Sequence, residues 1–479
     1  VTPLTRTTCA TSTPTGRSTT TTPTTATGGR VRLGGKRDLL TCKGEHCAPP
    51  FKENTALPSN DIGGEYQAAD GVNPSGFLSV SEQPPFSHNT ISAFTSLYRA
   101  YKKTMLGKSE KPAAIRFSAD YITNIFELSD ELRSRTYRMG RYNSFKVFEP
   151  KERDVLSNKF RDKVAQHSYC DNIIEPLFCK SFIIDNYANQ KGKGLHFGLK
   201  RLDLFLRSYF LSRKGKREEE CRNNNERMPL INEFDYNKGW IIKGDVKKYF
   251  YSIDHSILME MVIRKLATLE NKKDAAAAFW LSEMIINSTP NPGIPIGNQS
   301  SQFFALLYLD GFDHYVKQNL GIKYYGRYMD DFFAIVETKT EAQNAIKKMR
   351  EYLAGLKLRL NDKTNIFPLS HGIDFLGFHT YLTSTGKIIR KVRRSSKINM
   401  RRKIKKFSAL CKEGKMTLTD VEHSHGSWTA HINHGNTFRL KQSIGKLFYS
   451  EFPELKPKPK GKEKGNATAH RQFANQRKN

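Results

Sequence analysis

Three aspartates carry the strongest chemical signal in this sequence of 479 residues. Asp245 closes the apolar run 239–246 (GWIIKGDV), and the adjacent pair Asp330 and Asp331 interrupts a second run, 322–336 (IKYYGRYMDDFFAIV). Like charges gathered in one place are costly, because a pair about 4 Å apart repels by about 4 kcal/mol at an effective dielectric near 20. A divalent cation removes that cost, and carboxylates are hard oxygen ligands suited to Mg²⁺, with positions left for water and phosphate oxygens. Two such ions can activate a hydroxyl nucleophile and stabilise a departing pyrophosphate. An isolated Asp-Asp is often only a turn dipeptide, but here Tyr328-Met329 precede it and Asp245 ends a separate strand-like run.

The elements that must position these groups follow from the pattern. Residues 239–246 read as a short strand with a carboxylate at its end, followed by the aromatics Tyr249, Phe250 and Tyr251. Residues 322–336 read as a β-hairpin with Asp330 and Asp331 at or beside its turn. Between them, 300–320 reads as one long helix opened by two hydroxyl residues, Ser300 and Ser301, that can cap it. Strand, helix and hairpin in that order make an α+β fold. Upstream, helical patterns begin at 91–100 and recur at 126–135 and 199–209, and the charged run 213–227 reads as an exposed insertion.

The formal charge is +31, from 78 Lys and Arg against 47 Asp and Glu, an excess that calls for a polyanionic partner, nucleic acid first. Twelve of the cations lie in 383–412, which has no acid. The longest useful apolar run, 303–309, has seven residues, too few for a membrane helix, so no membrane partner is expected. Seven cysteines, an odd number thinly spread, fit a reducing cytoplasm rather than a disulfide framework. Cys42 and Cys47 lack a second pair at zinc-ribbon spacing, and His423, His425, His431 and His434 read as a polar, aromatic helical face rather than a metal cage. Residues 1–35 hold fourteen Thr and no Asp, Glu or Lys, which predicts disorder; the expected domain edge lies near Pro85.

Tyr-Met-Asp-Asp at 328–331, Asp-Val-Lys-Lys-Tyr-Phe at 245–250 and Phe-Leu-Gly-Phe at 375–378 resemble, in order, the palm motifs of reverse transcriptases. The resemblance covers roughly 90–455 and takes in 149–153 (EPKER), 160–167 (FRDKVAQH) and 187–194 (YANQKGKG). It implies a right-hand architecture: an extension over 1–85, fingers over 86–240, a palm with an antiparallel sheet over 241–383, a basic helical thumb over 384–455 and a lysine-rich tail over 456–479. It implies that Asp245, Val246, Asp330 and Asp331 hold two Mg²⁺ ions, with Lys363 as a general acid toward pyrophosphate. Lys151, Arg153, Phe250, Ile296, Gly297 and Gln302 become the deoxynucleotide contacts, Phe250 as the gate against a ribose 2′-hydroxyl. Lys387, Arg390, Lys391, Arg393, Arg394, Arg401 and Arg402 become contacts to the template and primer backbone, in keeping with the charge. The competing readings are core packing for Phe250 and Ile296 and a solvated charged turn for Lys151 and Arg153.

Most relatives read Gln-Gly and then Ser-Pro before the hairpin, whereas this chain has Ile296-Gly297 and then Ser301-Gln302. That resembles the enzymes of diversity-generating retroelements, which copy a template RNA into cDNA and misincorporate opposite its adenines. The resemblance implies a small basic accessory variability protein as partner and a prokaryotic or phage-encoded, cytoplasmic enzyme. A defence-associated or group II intron-like reverse transcriptase, and a catalytically silent RNA-binding scaffold, are the competing readings. The Thr-rich start can be an out-of-frame translation of a template repeat, since ACN codons shifted by one base can spell repeated Asn, or an ordinary linker.

Overall fold

The computed structural model describes residues 90–148, 152–231 and 233–457. The Thr-rich start, Cys42, Cys47, the edge near Pro85, Lys151 and the lysine-rich tail beyond 457 lie outside the described residues.

The first described part is helical. α1 (Phe94–Met105), α2 (Pro112–Ala119) and α3 (Tyr121–Ser134) precede a hairpin of β1 (Asn143–Val147) and β2 (Arg153–Ser157). Then come α4 (Phe160–Tyr169), α5 (Glu175–Phe178) and the long α6 (Leu195–Asn223). Leu97, Leu128, Val164 and Ile173 are fully buried where these helices meet, as their apolar periodicity requires.

The centre is a four-stranded antiparallel sheet in the order β4-β5-β3-β6, with β3 (Trp240–Asp245) beside β5. The short α7 (Tyr249–Ser252), α8 (His255–Leu266) and α9 (Lys272–Ile286) follow β3. α10 (Gln299–Tyr308) and α11 (Asp310–His314) lead into β4 (Tyr324–Tyr328) and β5 (Asp331–Val336). α12 (Lys339–Gly355) then precedes β6 (Asn365–Pro368). The sheet is buried on both faces, which explains why β3 reads as a nearly continuous apolar run. Ile242, Phe332 and Ala334 join the core with α8 and α10, and Ile241, Phe333 and Ile335 join a second cluster with Leu202, Phe205 and Leu206 of α6. Gly244 is where Phe332 crosses β3, since a Cβ there would lie 2.1 Å from its ring.

A three-stranded sheet of β7 (Ile373–Phe375), β8 (Phe378–Leu382) and β9 (Ile388–Val392) comes next. Three helices close the description, α13 (Arg394–Lys412), α14 (Leu418–Ile432) and α15 (Phe438–Glu451), packed around Met400, Ile404, Val421, Ile444 and Phe448.

Three expectations need correction. The predicted helix over 300–320 begins at Gln299 after Asn298, and Ser300 and Ser301 are buried inside its first turn instead of capping it; the Ser300 hydroxyl meets the Gln166 side-chain oxygen at 3.1 Å. It breaks at Leu309 and resumes as α11 and a π-helical turn, Tyr315–Asn319. The run 213–227 is no separate insertion. It continues α6 to Asn223, laced by Lys214–Glu218 and Arg217–Glu220 ion pairs that suit an exposed helical face. The basic region after 383 is not helical throughout, because it opens with β9.

Candidate active site

Antiparallel register brings the three aspartates together. Asp245, last in β3, lies directly across from Asp331, first in β5, and Tyr328 pairs with the same Asp331 across the hairpin. Met329 and Asp330 are therefore the two turn residues, and Met329 takes φ +55° to make the turn tight. The Val246 N–H donates to the Asp330 carbonyl at 3.3 Å, tying that turn to the end of β3. Opposed like charges destabilise a strand pair. Burial and the neighbouring Asp245 accordingly push the Asp330 carboxyl up to about 6, with Arg153 pulling the other way.

Two groups that sequence reasoning passed over complete the floor of the site. Lys243, two residues before Asp245, forms an ion pair with Asp331 and lies 5.2 Å from the centre of the Phe375 ring. Burial, helped by Arg393, holds its ammonium down to about 7 against the pull of Asp245, Asp330 and Asp374. Asn361 donates from its side chain to Asp245 at 2.9 Å and from its backbone to the Asp245 carbonyl at 2.7 Å. A lysine at alternate spacing from Asp245 on one strand was the available signal for Lys243. Asn361 needed the tertiary fold, which runs 359–361 alongside 245–247.

The residues expected to contact the nucleotide are positioned by a different route. The Leu156 amide of β2 donates to the Ile296 carbonyl at 3.0 Å, so the β1–β2 hairpin is bonded to the loop before α10. At Gly297, φ is +120° and a Cβ would lie 2.8 Å from the Leu156 carbonyl oxygen, which makes a side chain there doubly unwelcome. Ile296 is half-buried, Arg153 is exposed at the start of β2, and Gln302 is half-buried on α10. Phe250 lies on the short α7, half-buried, and its carbonyl accepts from the Ile294 amide at 2.8 Å. Lys363 is exposed on the turn whose Asn361 holds Asp245.

The basic region divides. Lys387, Lys391, Arg394, Arg401 and Arg402 are exposed on β9, its flanks and α13. Arg390 is committed to the fold and is not free for phosphate: it pairs with Asp203 at 2.6 Å and donates to the carbonyls of His434 and Leu199. Arg393 leans toward Asp374 at 3.7 Å. Of the histidines, His425 stacks on Phe448 and His434 on His196, which are packing roles.

β3 and β5 thus set Asp245 across from Asp331, with Asp330 in the adjoining turn. Residues 215–380, which include all three aspartates, match the family model for reverse transcriptase (RNA-dependent DNA polymerase). Over those residues the chain thus carries a reverse transcriptase domain, a domain of RNA-directed DNA polymerases, which are nucleotidyltransferases. It is similar to Protein YkfC of Escherichia coli (strain K12), 26% identical over 293 residues, covering 52% of this chain and 69% of YkfC. Among solved structures, an apo telomerase from Candida tropicalis truncated from its C-terminal domain matches with TM-score 0.35 and 10% identity, over 56% of this chain and 60% of that one. The telomerase from Candida albicans in complex with a fragment of telomeric RNA matches with TM-score 0.33 and 11% identity, over 68% and 64%. The chain thus spans less than two thirds of either telomerase. No helix among the described residues is long and apolar enough to cross a membrane.

Proposed function

We propose that this chain copies a template RNA into cDNA from deoxynucleoside triphosphates at Asp245, Asp330 and Asp331, and that it is the error-prone polymerase of a diversity-generating retroelement. The observation that carries the catalytic part is the cross-strand pairing of Asp245 with Asp331, with Asp330 pushed up to about 6 beside them. Carboxylate oxygens gathered at the end of β3 and the neighbouring turn, with Lys243 and Asn361 offsetting only part of their repulsion, suit a hard cation such as Mg²⁺. Asp245, Asp330 and Asp331, with Val246 beside them, would hold two ions, which when bound supply activation of the primer 3′-hydroxyl and stabilisation of the leaving pyrophosphate. In the transfer, the 3′-oxygen bonds to the α-phosphorus and the bond from that phosphorus to the bridging oxygen of the β-phosphate breaks.

The chain's own residues arrange this step. Asn361 fixes the Asp245 carboxylate, Lys243 fixes Asp331, and Arg153 offers a fork of donors suited to the triphosphate. Phe250 is the wall against a 2′-hydroxyl, and the exposed cations of α13 follow the template and primer backbone. The retroelement reading rests on Ile296, which supplies no side-chain hydrogen bond where most relatives carry Gln, and it brings with it a small basic accessory protein as partner. Primer extension on an RNA template by wild type and Asp330→Asn tests the first part, with loss of extension and retained RNA binding expected. Sequencing the cDNA tests the second. Errors concentrated at template adenines support the retroelement enzyme, and an even error spectrum supports the defence-associated or group II intron-like alternative.

A further inference from the structure

Immediately after Asp245 the chain runs beside the segment that follows α12, and the two form a short ladder. Asn361 bonds to Asp245, Val246 bridges to Leu360, and the Lys247 amide donates to the Arg359 carbonyl at 2.9 Å. At about 3.4 Å per residue, two rungs carry this ladder about 7 Å from the carboxylates. There it forms one wall of a cavity of about 450 Å³, lined by Lys247, Lys248, Lys357, Arg359, Asp254 and Asn291 among others. Four cations thus face one carboxylate. That carboxylate, Asp254, already accepts from Lys357 at 2.7 Å and caps α8 through the amides of Ser256 and Ile257, bonds that hold it below the usual carboxylate range. Lys247 reaches Asp362 at 3.1 Å, on the surface. No ion pair among the described residues reaches Lys248 or Arg359, both exposed.

Unpaired cations converging on a concave space, two rungs from where a pyrophosphate is released, fit a small polyphosphate better than any neutral ligand. We propose that this cavity binds the polyphosphate group of the reaction, the pyrophosphate on its way out or the triphosphate tail on its way in. The proposal rests on Asp245, Asp330 and Asp331 being the site of nucleotidyl transfer.

The test is isothermal titration of the full chain with sodium pyrophosphate in metal-free buffer, comparing wild type with Lys248→Asn/Arg359→Gln. Asn tolerates the left-handed backbone at 248, where φ is +48°, and both side chains are exposed, so the fold is kept; the single Arg359→Gln variant serves if the double one melts early. The double variant is expected to bind pyrophosphate about tenfold more weakly or worse, with affinity for a short single-stranded RNA changed less than about twofold. Pyrophosphate inhibition of primer extension should weaken in parallel. A raised inhibition constant with an unchanged deoxynucleotide KM assigns the cavity to the leaving group, and both constants raised assign it to the incoming triphosphate. Unchanged pyrophosphate affinity overturns the proposal, as does an equal loss of RNA affinity, which would make the cavity part of a nucleic-acid track. Asp330→Asn separates the two readings: pyrophosphate binding kept with extension lost supports both, whereas extension at the wild-type rate sinks the carboxylate assignment and leaves the cavity's binding to be judged alone.

Discussion

Arg327, fully buried two residues before the Met329–Asp330 turn, grips both carboxylate oxygens of Asp313 at 2.6 Å. Its remaining terminal nitrogen donates to the Met329 carbonyl at 2.8 Å. A buried charge is tolerable only when paired, so the turn that presents Asp330 is anchored from beneath by α11. Asp313→Ala, which leaves the guanidinium unpaired, should cost about 3 to 5 kcal/mol in chemical denaturation. A loss under about 1 kcal/mol would show that the fork does not anchor the turn. Arg327→Lys keeps the charge but not the two-point geometry, and should lose extension activity before it loses the fold.

The pH dependence of stability follows from Asp330. Its folded value, about 6, lies above the ordinary 3.8, so folding favours the protonated form. Below about pH 3 the group is protonated in both states and contributes nothing. As pH rises to 6 the unfolded chain ionises first and stability falls, reaching a deficit of about 3 kcal/mol that persists above 6. Asp330→Asn should therefore raise the melting temperature at pH 7.5 and leave it unchanged near pH 3. Added Mg²⁺ should stabilise wild type at pH 7.5 and this variant far less. Equal stabilisation of both would place Mg²⁺ elsewhere.

Asn361→Ala removes a charge-assisted hydrogen bond worth about 1.5 to 3 kcal/mol from Asp245. Extension should slow by roughly tenfold or more and require higher Mg²⁺, with RNA affinity unaffected. An unchanged Mg²⁺ requirement would mean that Asp245 holds its position unaided.

The legible part of this fold was the part with local chemistry. Asp245 at a strand end and Asp330-Asp331 at a turn could be read because strand periodicity and turn chemistry are short-range. Ser300 misled because a hydroxyl near a helix start resembles a cap whether it faces the backbone or, as here, Gln166 on α4. Arg327 was illegible for the opposite reason: an arginine in an apolar strand gives no sign of its partner, fourteen residues upstream on a separate helix.

Fidelity is tested at Ile296. Its carbonyl, not its side chain, is bonded to Leu156, so Ile296→Gln should fold normally and keep the hairpin contact. At about 1 kcal/mol for a net hydrogen bond to the incoming sugar, discrimination should shift roughly fivefold. cDNA sequencing should show adenine errors falling more than others. An unchanged adenine error rate in a variant that still polymerises would assign Ile296 to packing.

Salt titration separates the basic residues. Arg401→Ala or Arg402→Ala should weaken RNA–DNA binding for all sequences alike and flatten the salt slope by roughly 0.7 to 0.9 per lost phosphate contact. Arg390→Ala should lower the melting temperature and leave the slope nearly unchanged, and a flattened slope in that variant would return Arg390 to the binding surface.

The Arg390 contacts also bear on how this enzyme can be dissected. The guanidinium joins α6, β9 and the turn between α14 and α15, and beside it Leu199, Phe378, Val392 and Ile432 share one buried cluster. A cut near residue 384, where composition changes most sharply, would split that cluster and strand β9 without its partner. The C-terminal helices are therefore not an interchangeable module. Grafting them onto another polymerase would need the start of α6 and the strand β8 to travel with them.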